Sequence, residues 1–217
     1  MLHLPSSYTM RRRSIRQHCM QRTSVLSGLW QRIVAMSLSM MQASGDNVVI
    51  CSRKEDRVKA TLSELRSDFG KQRVTGAACN VCKQSEIAAL TERAKSEFGS
   101  IDIWINNAGT NAYSYKPLIE AAATDLVDIV DTNVLGTMLC CQAAIKLMRE
   151  QPSGGHIFNM EGAGSDGTPT PRFAAYGATK RALTQLNKSL QVRTRCYMPA
   201  LLLRGIVCSQ LAALPCW

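Results

Sequence analysis

Ile101-Asp102-Ile103-Trp104-Ile105-Asn106-Asn107-Ala108-Gly109 is a short apolar run that gives way abruptly to two asparagines, an alanine and a glycine. Its first five residues have the length and composition of a buried strand, and the rest is a loop at that strand's carboxyl end. Val48-Val49-Ile50-Cys51, Val74 to Val81 and His156 to Met160 read as further strands. Helical patterns lie between them. From Glu55 to Phe69, Val58, Leu62 and Leu65 share one face and Gly70 is the stop. Ser85 is the expected cap of a second helix, through Ile87, Leu90 and Ala94 to Phe98-Gly99. A long helical stretch covers 123–150 and breaks at Pro152 and Gly154-Gly155, and a last helix runs to about Leu190. Strands alternating with helices of this length specify an α/β domain with a doubly wound parallel sheet. In such sheets ligands lie beyond the carboxyl ends of the strands, where Arg53, Asn107 and the 162–171 loop fall.

With 217 residues, 46% of them hydrophobic, the chain is long enough for one domain with a substantial core. The formal charge of +10 is unevenly spread. Residues 1–45 hold six arginines and no acid, which leaves 20 basic and 16 acidic side chains after them. Without an aromatic-interleaved basic stripe or zinc-finger spacing, this is not a nucleic-acid-binding pattern. The leader, 1–45, rich in Arg, Ser, Gln and Met, has the composition of an organelle transit peptide or of a disordered N-terminus. The domain proper is expected over 46–217. Nine cysteines show no disulfide-framework spacing, and Cys79-Asn80-Val81-Cys82 has no second pair, so reduced thiols and no metal are expected. Met198 to Trp217 is apolar enough for contact with a membrane surface, but Arg204 and two prolines interrupt it as a spanning helix.

Tyr176-Gly177-Ala178-Thr179-Lys180 carries the chemistry. Residues i and i+4 of a helix share a face, so phenol and ammonium point into one space. A neighbouring ammonium favours the phenolate and lowers a tyrosine pKa from about 10. Such a tyrosine can exchange a proton with a carbonyl oxygen near neutral pH. Taken alone, the pair also fits an exposed aromatic–lysine contact.

Asn106-Asn107-Ala108-Gly109, Asn133-Val134-Leu135-Gly136 and Tyr176-x-x-x-Lys180, in that order over about 48–190, resemble the short-chain dehydrogenase/reductase superfamily. Gly155-His156-Ile157-Phe158-Asn159-Met160-Glu161-Gly162-Ala163-Gly164-Ser165, continuing through Pro169-Thr170-Pro171 to Tyr176, resembles the chlorophyll(ide) b reductases of plant chloroplasts, particularly the smaller, soluble-looking type. The resemblance implies a Rossmann-like fold and NADPH as cofactor. It implies chlorophyll(ide) b as substrate, in the chloroplast stroma or at the stromal face of the thylakoid. Tyr176 would protonate the carbonyl oxygen, Lys180 would lower its pKa and hold the nicotinamide ribose, and Asn133 would anchor a relay water. Backbone at Asn107, Ala108 and Gly109 would approach the cofactor. Ser52 and Arg53 would meet its adenosine end, with Arg53 gripping the 2′-phosphate. Ser165 would stand in for the catalytic serine of most members, which have a serine pair where this chain has Glu161-Gly162.

Other departures concern the ends. Asn80 replaces an aspartate expected near the adenine. No glycine-rich turn can be written onto Val25 to Met41, which instead suits a helix. Only 37 residues follow Lys180, and Arg204-Gly205-Ile206-Val207 resembles the turn after a further strand. The reading is therefore of a shortened family member whose sheet is incomplete at both ends. Without a phosphate-binding turn it would bind NADPH weakly, and without a first strand it would aggregate unless partnered. Two other readings stay open: a reductase of another carbonyl substrate, or a silent chain that pairs with a full-length reductase.

Overall fold

The computed structural model describes residues 23–27, 46–112, 116–197 and 201–206. Strands are β1 (Thr23–Ser27), β2 (Asn47–Ser52), β3 (Val74–Ala78), β4 (Ile103–Asn106), β5 (Gly155–Met160) and β6 (Leu201–Ile206). Helices are α1 (Glu55–Phe69), α2 (Gln84–Phe98), α3 (Ala123–Val130), α4 (Gly136–Arg149) and α5 (Ala174–Tyr197). All strand pairings are parallel, in the order β3-β2-β1-β4-β5-β6. The chain winds outward from β1 to β3, then returns to the other side of β1. The β1/β4 boundary is thus the topological switch point, where a crevice opens at the carboxyl ends.

β1 corrects the sequence reading. It lies within the stretch taken as leader, pairs Val25 with Val49 on one side and with Trp104 on the other, and buries Val25 completely. The gap expected between β2 and β4 is therefore filled, and the argument from a missing first strand to aggregation loses its basis. Thr23-Ser24-Val25-Leu26-Ser27 has only two strongly apolar residues, too weak a signal inside an Arg- and Ser-rich segment. The helix suggested for Val25 to Met41 fails over its described part, and residues 28–45 lie outside the described residues. At the other end, Arg204, Gly205 and Ile206 lie inside β6 rather than in a turn. The rest of the apolar tail is outside the described residues.

Alternation along the strands gives two buried faces, as a doubly wound sheet requires. Val25, Val49, Cys51, Trp104 and Ile157 pack with Ile87, Leu90 and Ala94 of α2 and with Cys140, Ala144, Leu147 and Met148 of α4. Strand residues of the opposite phase, Val48, Ile50, Ile105 and Phe158, are buried too. So are Val58, Leu62 and Leu65 of α1 and Leu183 of α5. Cys51, Cys79, Cys82, Cys140 and Cys141 are free thiols, and burial pushes Cys141 up to about 11.

Two local features differ from expectation. Helix α2 starts at Gln84, one residue before Ser85, because an Asn80 turn precedes it. Cys82 N–H donates to Asn80 Oδ1 (3.1 Å) and Asn80 N–H to Glu86 Oε2 (2.7 Å). The long stretch 123–150 is two helices joined by a π-helical turn, Asp131–Leu135, in which the Gly136 N–H reaches back to the Asp131 carbonyl. Such turns concentrate at functional sites, and this one contains Asn133.

Candidate active site

The first two turns of α5 bring Tyr176 and Lys180 to the carboxyl end of β5. Lys180 is only 4% exposed; its Nζ donates to the Met160 carbonyl (2.9 Å) and lies 5.5 Å from the centre of the Tyr176 ring. Burial pushes the Lys180 ammonium down to about 8, and the charge of Glu161 opposes that fall. Phe173 meets the Tyr176 ring edge-on at 6.2 Å.

The π-helical turn delivers Asn133, fully buried, between this pair and the loop after β4. Asn133 Oδ1 accepts from Thr110 N–H (2.8 Å), and its Nδ2 donates to the Thr110 carbonyl (3.0 Å) and to Thr179 Oγ1 (3.0 Å). Thr179 Oγ1 in turn donates to the Tyr176 carbonyl (2.6 Å). The Asn133 side-chain amide thus clips the loop onto α5. Its own carbonyl accepts from Thr137 Oγ1 (2.8 Å). Gly109 is held so close that a Cβ there would lie 3.4 Å from Asn133 Oδ1 and 3.6 Å from Lys180 Nζ. Gly109, Asn133, Tyr176 and Lys180 therefore meet in one place, as the sequence reading requires, with Asn107 and Ala108 just before Gly109 at the end of β4.

The loop after β5 is seated against α5 by glycine. Gly164 has φ +89°, and a Cβ on it would come within 2.7 Å of the Gly177 Cα. The backbone of Gly162 lies beside the phenol: a Cβ there would sit 2.7 Å from Tyr176 Oη. Ser165 is buried, and its carbonyl accepts from Arg181 (2.8 Å) and Thr184 Oγ1 (3.0 Å), further along α5. It lines a cavity with Glu161, Thr170, Phe173, Arg181 and Thr184.

Ser52 and Arg53 sit at the carboxyl end of β2, where the Ser52 carbonyl accepts from Cys79 N–H (2.9 Å). Arg53 is exposed and pairs with Asp128 of α3 at 3.4 Å. Sequence reasoning missed Asp128, Thr110 and Thr179, because each acts through a contact across the sheet end that no spacing reveals. It also missed a buried chain of amides. Trp104 Nε1–H donates to Asn106 Oδ1 (2.8 Å), Asn106 Nδ2 to Asn159 Oδ1 (2.7 Å), and Asn159 Nδ2 to Asn187 Oδ1 (2.6 Å). The signal for it was asparagine in two otherwise apolar strands.

Comparison with known proteins agrees with this geometry. Residues 31–197 match the model of the short chain dehydrogenase family. Over 148 residues, 68% of this chain, the sequence is 57% identical to the chloroplastic chlorophyll(ide) b reductase NOL of Oryza sativa subsp. japonica. Over the same share it is 55% identical to that of Arabidopsis thaliana. The aligned parts are 43% and 42% of those proteins, so the chain spans less than half of either. A short-chain dehydrogenase/reductase from Burkholderia phymatum, solved in complex with NAD, superimposes with a TM-score of 0.77 at 22% identity, over 86% of this chain and 65% of that one. The chain belongs to the short-chain dehydrogenase family, and with it to the oxidoreductases.

Proposed function

We propose that this chain is a carbonyl reductase of the chlorophyll(ide) b reductase type. It uses NADPH to reduce the C7 formyl group of chlorophyll(ide) b to 7-hydroxymethyl chlorophyll(ide) a. It works in the chloroplast, in the stroma or at the stromal face of the thylakoid. The observation that carries the reading is the meeting of Tyr176, Lys180 and the Asn133-clipped loop beside the switch point of the sheet. The identity to two plant chlorophyll(ide) b reductases supports the choice of substrate class. No described helix is long and apolar enough to cross a membrane.

The residues present fit a nicotinamide dinucleotide along the carboxyl ends of β2, β4 and β5. Lys180 has three N–H donors, and one goes to the Met160 carbonyl. Gly109 lets backbone approach beside that ammonium, and Arg53 supplies a cation at the end of β2. Residues 28–45, which follow β1, lie outside the described residues. Bound NADPH would supply the hydride that adds to the formyl carbon.

Tyr176 passes its hydroxyl proton to the formyl oxygen as negative charge gathers there. Lys180 stabilises the phenolate left behind and holds the nicotinamide ribose. Asn133 holds Asn107–Thr110 against α5, so the backbone that faces the cofactor stays in register with the proton donor. Ser52 and Arg53 take the adenosine end, with Arg53 exchanging Asp128 for the 2′-phosphate. Ser165 shapes the cavity wall behind Gly162.

The test is product analysis with purified full-length chain, NADPH and chlorophyllide b, beside a panel of other aldehydes and ketones. 7-Hydroxymethyl chlorophyllide a as the favoured product supports the proposal. Preference for another carbonyl, or turnover of none, overturns it. A second reading is a catalytically silent chain that pairs with a larger reductase. That reading predicts no NADPH binding by the chain alone and co-purification with the larger reductase.

A further inference from the structure

The amide chain from Trp104 does not stop at Asn187. Asn187 Nδ2 donates to Glu161 Oε1 (3.3 Å), and the Thr184 hydroxyl, whose one proton is shared with the Ser165 carbonyl (3.0 Å), also reaches that oxygen (3.3 Å). Every link from the Trp104 indole onward donates in one direction, towards Glu161. Aligned dipoles of this kind need a terminus that only accepts, and in a low dielectric they strengthen a negative charge placed there. A carboxylate meets both conditions. Gly205 of β6 leaves the room: a Cβ there would overlap Glu161 Oε1 and come within 2.7 Å of Asn187 Nδ2.

The two residues that grip Glu161 stand four and seven positions beyond Lys180 on α5, so all three share a helix face. Glu161 also directly follows Met160, whose carbonyl anchors the Lys180 ammonium. From this placement we infer that Glu161 is the counter-charge of Lys180, a positioning residue that keeps the ammonium protonated beside Tyr176 at working pH. The inference deepens the proposed proton transfer and rests on it for its functional meaning, but its physical content concerns the free protein.

Among the described residues, the groups around Lys180 leave this role to Glu161. From its own helix comes the neutral Tyr176 ring, from β5 the Met160 carbonyl, and from the loop after β4 and the π-helical turn the neutral Gly109 and Asn133. Arg181 points its guanidinium at the Ser165 carbonyl and faces Asp166, on the cavity side. The charge that opposes the burial of Lys180 is that of Glu161.

The experiment is NMR titration of Lys180 in the full chain labelled with ¹³C,¹⁵N-lysine, its signal assigned by loss in Lys180→Arg. Glu161→Gln, which keeps shape and removes charge, should lower the Lys180 midpoint by about one pH unit. Glu161→Asp, whose carboxylate sits one methylene further back, should lower it by less. Should Glu161→Gln fail to fold, Glu161→Asp alone decides by the same sign. An unchanged or raised midpoint overturns the inference. Because the readout needs neither cofactor nor substrate, it stands apart from failure of the proposed activity. In an active chain the alkaline limb of the pH profile should move with the midpoint.

Discussion

The Cβ position of Gly162 lies 2.7 Å from the hydroxyl oxygen of Tyr176. Glycine lets the loop after β5 pass directly beside the phenol. Any side chain at 162 must push the phenol or the loop aside. Misplacement of a reacting group by about 1 Å costs on the order of 100-fold in rate. Gly162→Ala should therefore lower turnover at least ~10-fold while leaving the thermal midpoint close to wild type. Wild-type turnover would show that the loop yields freely.

Val25 is fully buried between β2 and β4. Val25→Asp would put an unpaired carboxylate in the middle of the sheet and should cost at least about 3 kcal/mol, enough to unfold a marginal domain. Denaturant unfolding checks this. A loss below about 1 kcal/mol would contradict a central strand at 23–27.

That strand marks where the sequence was hard to read. Val48–Cys51, Ile101–Ile105 and His156–Met160 are dense in β-branched or aromatic residues, and each lies on its structural strand or within two residues of it. Thr23–Ser27 is short, half polar and set among arginines, and only its two partners reveal it. The π-helical turn was likewise invisible, since 123–150 keeps one unbroken helical period. Tyr176, Lys180 and Gly109 were legible because the helix repeat and the strand end bring them together. Asp128, Thr110, Glu161 and the asparagine chain act across the fold, through contacts that local pattern does not encode.

Arg53 pairs with Asp128 across the end of β2, at 3.4 Å and over half exposed, so the pair itself is weak. A bound 2′-phosphate would make the stronger, charge-assisted contact. Arg53→Asp should shift the ratio of NADPH to NADH affinity towards NADH by ~10-fold or more, the worth of one hydrogen bond to a charged group. Titration of both cofactors measures it. An unchanged ratio would leave Arg53 as a surface charge.

Lys180 gives up its proton near pH 8 in the folded chain, lowered from 10.5 mainly by burial. Between those values the unfolded chain binds more protons, so stability should rise as pH climbs from about 8 towards 10.5. The full effect is on the order of 3 kcal/mol. Relative to Lys180→Met, which has no such proton, the wild type should gain this much between pH 7 and pH 10.5 in denaturant unfolding. A stability difference that stays flat with pH would show that burial does not strain the ammonium. In the reductive direction, turnover should fall above about pH 8, as the charge beside Tyr176 is lost.

In the proposed reaction Tyr176 donates the proton to the carbonyl oxygen. Tyr176→Phe removes the hydroxyl and keeps the ring that packs on Phe173. Turnover of chlorophyllide b with NADPH should fall by ~10²–10⁴-fold, with NADPH affinity unchanged within a few-fold. A variant that keeps more than about a tenth of the wild-type rate would contradict the account, because general acid catalysis by this residue could not then be its source.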